Sequence, residues 1–166
     1  MADQNSDQAL RTILKSTKTI AMVGVSSNPV KASYFVARYL KYRRFRVIPV
    51  NPVYAGQEIL GMPVYASFAE IPKDISVDMV DIFRRAEFVP DLLDEALEHL
   101  KPGFKTLWMQ LGITHDQAAQ KARDNGITVV EDRCPKMEYQ RLSGELRKAG
   151  INTGIITSKK ELWTNE

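Results

Sequence analysis

The chain has 166 residues, which is the length of one domain and enough to bury a hydrophobic core. Its formal net charge of +3 is too small to indicate nucleic-acid binding, although it suits an anionic ligand. A single cysteine, Cys134, excludes an internal disulfide and favours a reducing compartment. The polar first residues lack the apolar segment of a secretory signal, and no apolar run is long enough to span a bilayer, so we expect a cytoplasmic protein.

Apolar periodicity predicts strands and helices in alternation. In chain order we predict a short helix capped by Ser6 or Asp7, a strand at 19–25, a helix at 33–43, a strand at 45–50, a loop over 53–73 with an extended piece at 63–65 and one helical turn at 67–70, a strand at 77–83, a helix at 87–100, a strand at 106–111, a helix at 114–126, a strand at 127–131 and a helix at 134–150. The apolar stripe of the second helix is predicted at Phe35, Val36, Tyr39 and Leu40.

This alternation is typical of a parallel sheet that is covered by helices on both faces. Right-handed crossovers then give an α/β, three-layer Rossmann-type, doubly wound sheet with a crevice where the strand order reverses. We expect one domain over 1–166, with a core at about 17–150 and a polar tail at 151–166. Any site should be drawn from the loops at the carboxyl ends of the strands, which are 25–33, 51–55, 83–87, 111–115 and 131–136.

The first of these loops has the composition of a phosphate-binding turn. Small and polar residues stand between a strand and a helix, where backbone N–H groups and the helix N-terminus hold anions. The candidate residues are Gly24, Ser26, Ser27, Asn28, Pro29, Lys31 and Ser33. Lys31 adds a positive charge, and Ser33 can either cap the helix or contact a phosphate oxygen. The alternative is an ordinary strand–helix turn that binds nothing.

The next two loops distinguish between cofactors. An NAD site expects an acidic residue after the second strand, whereas this chain has Asn51, Pro52 and Tyr54 there. Together with the missing second and third glycines of a dinucleotide fingerprint, this argues against NAD. After the third major strand, Arg84 and Arg85 are able to bind phosphates, and Phe83 to stack on a base. Strand termination by Asn51-Pro52, and a surface ion pair of the arginines with Glu87 or Asp81, are the alternatives.

The remaining candidates lie further along the same edge. Gly112 favours a turn or a close backbone approach, Gln110 stands beside it, and Thr114 is predicted to cap the following helix. His115 is a candidate base, although a solvated histidine is the more common case. His99 fits a helix C-terminus. With two histidines and one cysteine we expect no metal site.

Cys134 directly precedes Pro135, a favoured first helical residue, and therefore lies near a predicted helix N-terminus. The positive end of the helix dipole favours a thiolate there. A small buried cysteine that only fills space is the alternative.

Read together, these stretches resemble the small CoA-binding protein family, whose members are stand-alone relatives of the CoA-binding domain of the succinyl-CoA synthetase α subunit. The resemblance rests on VGVSSNPVKAS (23–33), VIPVNP (47–52), LGMPVYASFAEIP (60–72), VDIFRR (80–85), WMQLGI (108–113) and EDRCPKMEY (131–139). It implies a Rossmann-type fold and coenzyme A or an acyl-CoA at the first loop. If the pantetheine arm runs along this edge, Cys134 is a candidate for a mixed disulfide with the CoA thiol.

The resemblance also assigns the other loops. Ser26 to Pro29 match the turn around the CoA pyrophosphate, and Asn51, Pro52 and Tyr54 match a loop close to the nucleotide, where the synthetase has a lysine near the position of Tyr54. Phe83 to Ala86 match the nucleotide side, and Gln110 to Ile113 match a loop near the pantetheine arm. The synthetase's phosphorylated histidine has no counterpart in this chain, so the ligase reaction is not implied.

Three functions remain open from the sequence. The first is a non-catalytic CoA-binding carrier, sensor or regulatory module, with a possible protein partner or homo-oligomer and no nucleic acid or membrane. The second is a subunit of an acyl-CoA enzyme whose catalytic chain is separate. The third is an NAD(P)-binding regulator or oxidoreductase.

Overall fold

The structure is a computed structural model that describes residues 5–145. The predicted tail at 151–166 and the last residues of the helix predicted at 134–150 lie outside the described residues. Within residues 5–145 there is no helix both long and apolar enough to span a membrane.

The described chain alternates between helices and strands almost as its periodicity predicts. The helices are α1 (Asp7–Ser16), α2 (Ala32–Tyr42), α3 (Val89–His99), α4 (Asp116–Asp124) and α5 (Pro135–Leu142). The strands are β1 (Thr19–Val23), β2 (Arg46–Val50), β3 (Glu58–Ile59), β4 (Met62–Pro63), β5 (Met79–Ile82), β6 (Thr106–Met109) and β7 (Thr128–Val130). Single 3-10 turns occur at Pro52–Tyr54, Phe68–Glu70 and Ala86–Phe88.

The main sheet is parallel, with the strand order β2-β1-β5-β6-β7. The chain moves outward from β1 to β2 and then returns to place β5 on the other side of β1. The strand order therefore reverses between β1 and β5, which makes the carboxyl ends of these two strands the switch point of a doubly wound fold. The predicted Rossmann-type sheet is confirmed.

The extended piece predicted at 63–65 does not become a full strand of this sheet. Tyr65 runs beside β2 and forms an isolated parallel bridge with Val50. The chain before it instead forms the antiparallel hairpin β3–β4. Leu60 and Gly61 connect the two short strands, and both have positive φ, as a tight two-residue hairpin turn requires.

Helices cover both faces of the sheet, giving three layers. On one face, Val80 and Ile82 of β5 belong to a core that includes Leu93 of α3 and Ala119 of α4. The opposite face packs against α1, α2 and α5. Its core residues include Leu10, Met22, Val36, Leu40, Met79, Trp108, Cys134 and Leu142.

The buried stripe of α2 differs from the predicted one. The helix buries Ser33, Val36, Ala37 and Leu40, whereas Phe35 is 44% exposed. Positions 33, 36, 37 and 40 follow the spacing of a helical face, and the small side chains at 33 and 37 let the helix approach the sheet closely. The sequence interpretation gave weight to the large aromatic residues, although the small ones occupy the contact.

At the switch point, β1 and β5 approach each other at Gly24. The Gly24 N–H donates to the Val50 carbonyl at 2.9 Å, and the Phe83 N–H donates to the Val23 carbonyl at 2.9 Å. Gly24 has φ +86°, and a Cβ at this position would lie 3.1 Å from the Phe83 carbonyl oxygen. The turn therefore needs glycine for its backbone angle and for the space beside β5.

Substitution of this glycine tests the close approach. We expect Gly24→Ala to lower the free energy of unfolding by about 3 kcal/mol, because a positive φ costs about 1–2 kcal/mol and overpacking adds about 1–3 kcal/mol. Gly56→Ala is the matched control, since Gly56 has φ +79° and no atom within 4 Å of a built Cβ. Urea unfolding of both variants measures the difference. Equal losses would contradict the close approach.

Candidate functional site

The turn after β1 is held in shape by its own side chains. The Ser26 N–H donates to Ser33 Oγ at 3.0 Å, the Asn28 N–H to Ser26 Oγ at 3.1 Å, and the Val30 N–H to Asn28 Oδ1 at 3.0 Å. Ser33 is buried and fixes the start of the turn, so it does not cap α2. The shape of the turn is therefore fixed by bonds within the chain.

The exposed side of this turn leads into the N-terminus of α2. Lys31 is the N-cap residue and makes no side-chain capping bond, so its ammonium group is not used to close the helix. The N–H groups of Ala32 and Ser33 have no intrahelical acceptor at the first turn. Ser27, Asn28, Pro29 and Lys31 are all exposed. An anion at this position would meet a positive side chain and the positive end of a helix dipole.

Asn51 joins the loop after β2 to the turn after β1. Its Nδ2 donates to the Val25 carbonyl at 3.0 Å, and its Oδ1 accepts the Val53 N–H at 3.0 Å. Pro52 then begins the 3-10 turn that ends at Tyr54. Both functional groups of the buried Asn51 side chain are engaged, so it positions the two loops.

Tyr54 reaches from this second loop back to the first. Hydrogen bonding to Ser27 and then Ser26, with a smaller contribution from the charge of Lys31, lowers the pKa of the Tyr54 phenol. The two loops therefore form one continuous polar rim on the β2 side of the switch point.

A cavity of about 180 Å³ opens at the carboxyl ends of β1 and β2, beside the segment after β5. Its lining consists of Val23, Val50, Pro52, Ala66, Ser67, Arg84, Phe88, Asp91, Leu92 and Glu95. The guanidinium carbon of Arg84 lies 4.3 Å from the centre of the Phe88 ring, within cation–π distance. The cavity thus offers apolar walls, the cationic side chain of Arg84 and the carboxylates of Asp91 and Glu95, of which Glu95 Oε1 accepts the Phe68 N–H at 2.7 Å.

The two neighbouring arginines have different surroundings. Arg84 lines the cavity, whereas Arg85 forms an exposed ion pair with Glu87 at 2.8 Å. Asp81 was the other expected partner for these arginines, and it is instead fully buried and bonded to Gln110. Phe83 is half-buried and packs against the core that faces α2 and α5.

Several lining residues were absent from the sequence interpretation. Ala66 and Ser67 follow the short segment paired with β2, and Phe88, Leu92 and Glu95 come from the turn before α3 and from α3 itself. The loop at 65–70 also follows an extended segment that ends at the carboxyl edge. The predicted extended piece in the sequence therefore pointed to this loop as a further candidate. Which side chains of α3 line the cavity depends on how this helix packs against the sheet. The positions of the strand-end loops in the sequence do not reveal that packing.

Beyond β5, the carboxyl edge holds a buried polar pair. Gln110 Nε2 donates to Asp81 Oδ1 at 2.9 Å and to Oδ2 at 3.0 Å. Asp81 is 0% exposed, and its burial raises the pKa of the carboxyl group to about 8, against a smaller lowering by Gln110. Asp81 is therefore mostly protonated at neutral pH. The only sequence signal was an aspartate in the middle of an apolar strand.

Gly112 has φ +79° and open space around a built Cβ, so the backbone angle explains the glycine. Its N–H donates to Asp132 Oδ1 at 2.6 Å, and the Asp132 N–H donates to the Ile113 carbonyl at 3.2 Å. Trp108 Nε1 donates to the Arg133 carbonyl at 2.7 Å. The loops after β6 and β7 are therefore tied together.

Cys134 occupies the N-cap position of α5 and lies 6% exposed in the core. Burial raises the pKa of its thiol, outweighing hydrogen bonding from the Met137 backbone. The expected thiolate at the helix N-terminus is therefore wrong, because removal from water disfavours the charged form more than the helix end stabilises it. The cysteine is a buried core thiol.

The histidines belong to helix ends. His115 Nδ1 accepts the Ala118 N–H at 3.2 Å, so His115 caps α4 in place of the predicted Thr114. His99 ends α3, as expected from its sequence. Among residues 5–145 there is no cluster of three or more His, Cys, Asp or Glu that would hold a metal ion.

The fold thus brings the candidate residues into two groups. The first group surrounds the switch point and comprises Gly24, Ser26, Ser27, Asn28, Pro29, Lys31, Ser33, Asn51, Pro52, Tyr54, Phe83 and Arg84. The second group, Gln110, Gly112 and Cys134, lies along the same edge at β6 and β7. Arg85 does not line the cavity: it forms its surface ion pair with Glu87, and its guanidinium carbon lies 5.4 Å from the centre of the Phe88 ring. A further cavity of about 240 Å³ lies elsewhere, near Lys41 and the first residues of β2.

Comparison with known proteins identifies the class. The CoA-binding domain family matches residues 18–140, and the chain belongs to that family. Uncharacterized protein YneT of Bacillus subtilis is 36% identical over 137 residues, which cover 82% of this chain and 96% of that protein. A protein of solved structure from Thermus thermophilus is 39% identical, with a TM-score of 0.76, and the match covers 82% of this chain and 98% of that one.

Ligase subunits are more distant relatives. Succinate–CoA ligase [ADP-forming] subunit alpha 2 of Archaeoglobus fulgidus is 28% identical over 137 residues. The match covers 76% of this chain but 46% of the ligase subunit, so the chain spans less than half of that relative.

The buried carboxyl group predicts how stability depends on pH. Folded Asp81 keeps its proton up to a pKa of about 8, whereas the unfolded chain loses it near the ordinary value of 3.8. Between about pH 4 and pH 8 the folded state binds more protons, so this contribution to stability falls as pH rises and is lost above the folded pKa.

We therefore expect the free energy of unfolding of the native protein, minus that of Asp81→Asn, to fall by about 1 kcal/mol per pH unit in this window. Urea titrations from pH 4.5 to 8.5 measure the difference, and groups common to both proteins cancel. A constant difference across this range would mean that folded Asp81 is ionised throughout.

Proposed function

We propose that the protein binds coenzyme A or an acyl-CoA in the crevice at the carboxyl ends of β1, β2 and β5. The observation that carries this proposal is the convergence of an exposed turn at a helix N-terminus, a mainly apolar cavity and the cationic side chains of Lys31 and Arg84 at the switch point of a CoA-binding-domain fold. Ligands of open α/β sheets bind at such points.

Each part of the nucleotide has a matching surface. The phosphates would bind the exposed turn from Ser27 to Lys31 and the N-terminus of α2, with Lys31 and Arg84 as counter-charges. The adenine ring would enter the cavity between Val50, Leu92 and Phe88. No carboxylate stands directly after β2 to hold a ribose diol, which favours a phosphorylated ribose over NAD.

We propose a non-catalytic role as a carrier, sensor or regulatory module. His115 is engaged as a helix cap and Cys134 is a buried thiol of raised pKa, so neither candidate for chemistry is prepared as a base or nucleophile. A second candidate is a subunit that acts with a separate catalytic chain. The similarity to part of a ligase subunit favours it, and co-purification of a partner chain would support it.

Cofactor choice is tested by thermal unfolding at matched ligand concentrations. We expect CoA to raise the midpoint of unfolding clearly more than NAD, because a ligand that binds only the native state stabilises it by mass action. The nucleotide 3′-phospho-ADP, which lacks the pantetheine arm, should also raise the midpoint. If NAD raises the midpoint of unfolding as much as CoA does, or more, the result would contradict the proposal.

The neighbouring arginines provide a matched pair for calorimetry. We expect Arg84→Ala and Lys31→Ala each to weaken CoA binding about tenfold or more, because a hydrogen bond to a charged group contributes about 1.5–3 kcal/mol. Arg85→Ala is the control, and it should change the affinity less than twofold because Arg85 already forms an exposed ion pair. Unchanged CoA affinity in both test variants would show that CoA does not bind at the loops that carry Lys31 and Arg84.

A further inference from the structure

The carboxylate of Glu95 lines the cavity at the switch point and also holds a neighbouring loop in place. Glu95 Oε1 accepts the N–H of Phe68, the first residue of the 3-10 turn at Phe68–Glu70. The Phe68 side chain is 0% exposed and belongs to the core that includes Leu93 of α3. The position of the Glu95 carboxylate is therefore fixed both by its own helix and by this turn.

Only one oxygen of this carboxylate is bonded within the part of the chain that the structure describes. Over residues 5–145, the Phe68 N–H is the one hydrogen-bond donor to Glu95, and Glu95 forms no ion pair there. Arg84 lines the same cavity but contacts the Phe88 ring, with its guanidinium carbon 4.3 Å from the ring centre. The second oxygen of Glu95 is therefore an acceptor for which residues 5–145 supply no donor.

A hydroxyl group accompanies this carboxylate on the cavity wall. Ser67 lines the cavity and directly precedes Phe68, whose N–H Glu95 accepts. Ser67 is the N-cap residue of the 3-10 turn, but its side chain makes no capping hydrogen bond. This part of the wall thus offers a fixed acceptor together with a hydroxyl that is able to donate. Much of the remaining lining is apolar: Val23, Val50, Pro52, Ala66, Phe88 and Leu92.

The other carboxylate of the lining, Asp91, is in a different situation. Asp91 lies one turn before Glu95 on α3 and is exposed, whereas Glu95 is half-buried. A carboxylate that is partly withdrawn from water and held in place loses more when it faces another acceptor than a solvated carboxylate does. Glu95 is therefore the candidate for ligand selection, and Asp91 provides a matched control.

We infer that Glu95 selects the base of the bound nucleotide. Its second oxygen accepts the exocyclic N–H of a 6-amino purine, and the Ser67 hydroxyl donates to a ring nitrogen beside that amine. Adenine presents an N–H donor next to a ring-nitrogen acceptor, whereas a 6-oxo purine presents an oxygen acceptor in place of the amine. Because two facing acceptors leave each other without a donor, the site rejects 6-oxo purines. This inference rests on the proposed CoA binding and adds the residue that determines base specificity.

The test uses the full chain and three nucleotides that share the ribose 3′-phosphate and the diphosphate. They are 3′-phospho-ADP, its counterpart with hypoxanthine, and its counterpart with unsubstituted purine, and calorimetry gives the affinity of each. We expect the native protein to bind the adenine nucleotide about tenfold or more tightly than the hypoxanthine nucleotide, because a hydrogen bond to a charged acceptor is lost. The unsubstituted purine has neither donor nor acceptor at position 6, so its affinity should lie between the other two.

Glu95→Gln separates base recognition from the holding of the turn. In this variant the amide oxygen still accepts the Phe68 N–H, and the amide nitrogen replaces the second carboxylate oxygen. A donor then stands where the native protein has an acceptor, so we expect the variant to bind the hypoxanthine nucleotide at least as tightly as the adenine nucleotide. Asp91→Asn is the control and should keep the tenfold preference for adenine. If Glu95 only held the turn, Glu95→Gln would leave the preferred base unchanged.

Ser67→Ala tests the hydroxyl independently of the carboxylate. We expect it to weaken binding of 3′-phospho-ADP about twofold to tenfold, the effect of losing a neutral hydrogen bond. Urea unfolding of each variant establishes that it is folded. If Glu95→Gln does not fold, the three nucleotides on the native protein still decide whether the base is selected.

The outcomes distinguish the two proposals. If neither CoA nor 3′-phospho-ADP binds the native protein, the proposed function is wrong and this inference is wrong with it. If 3′-phospho-ADP binds but the native protein binds the hypoxanthine nucleotide equally well, or if Glu95→Gln keeps the native preference, only the selection of the base by Glu95 is overturned.

Discussion

The site depends on the close approach of β1 and β5 at Gly24. These strands are neighbours although a helix, a strand and a hairpin separate them in the chain, and their pairing makes the sheet doubly wound. At their carboxyl ends the chain leaves β1 toward α2 and leaves β5 toward α3, which pack on opposite faces. A crevice therefore lies between the two departing segments. Because Gly24 has no Cβ, the Phe83 carbonyl is able to lie close to Gly24 at the bottom of this crevice.

Polar side chains around this crevice mainly form hydrogen bonds with the protein's own backbone. Ser26, Asn28 and Ser33 bond the backbone of the turn, and Asn51 bonds the second loop to the first. Such a preformed turn presents N–H groups and a helix end without first having to order a loop, which lowers the entropic cost of binding. In the proposed site, recognition of the phosphates is then left to the side chains of Lys31 and Arg84, neither of which bonds the turn.

Much of this arrangement is predictable from the sequence, because apolar periodicity and strand-end loops are local signals. The order of helices and strands, the switch point and the turn at Ser26–Lys31 all follow from them. What failed depends on packing between distant segments. The bridge at Tyr65, the exposure of Phe35 and the burial of Cys134 depend on contacts with residues that are distant in the sequence.

The same limit applies to charge. The sequence alone does not distinguish Arg84 from Arg85. The structure does, because Arg84 lines the cavity whereas Arg85 is paired with Glu87. Asp81 resembled a surface partner, since aspartate is seldom fully buried. Its partner Gln110 is 29 residues away along the chain and is brought close by the pairing of β5 with β6.

The most direct test of the account is a crystal structure of the protein grown with CoA. We expect the diphosphate against the turn from Ser27 to Lys31, the adenine between Val50 and Phe88, and the arm running over the ends of β5 and β6. Density for CoA in the other cavity, beside Lys41 and the start of β2, or a crevice left empty at saturating CoA, would contradict it.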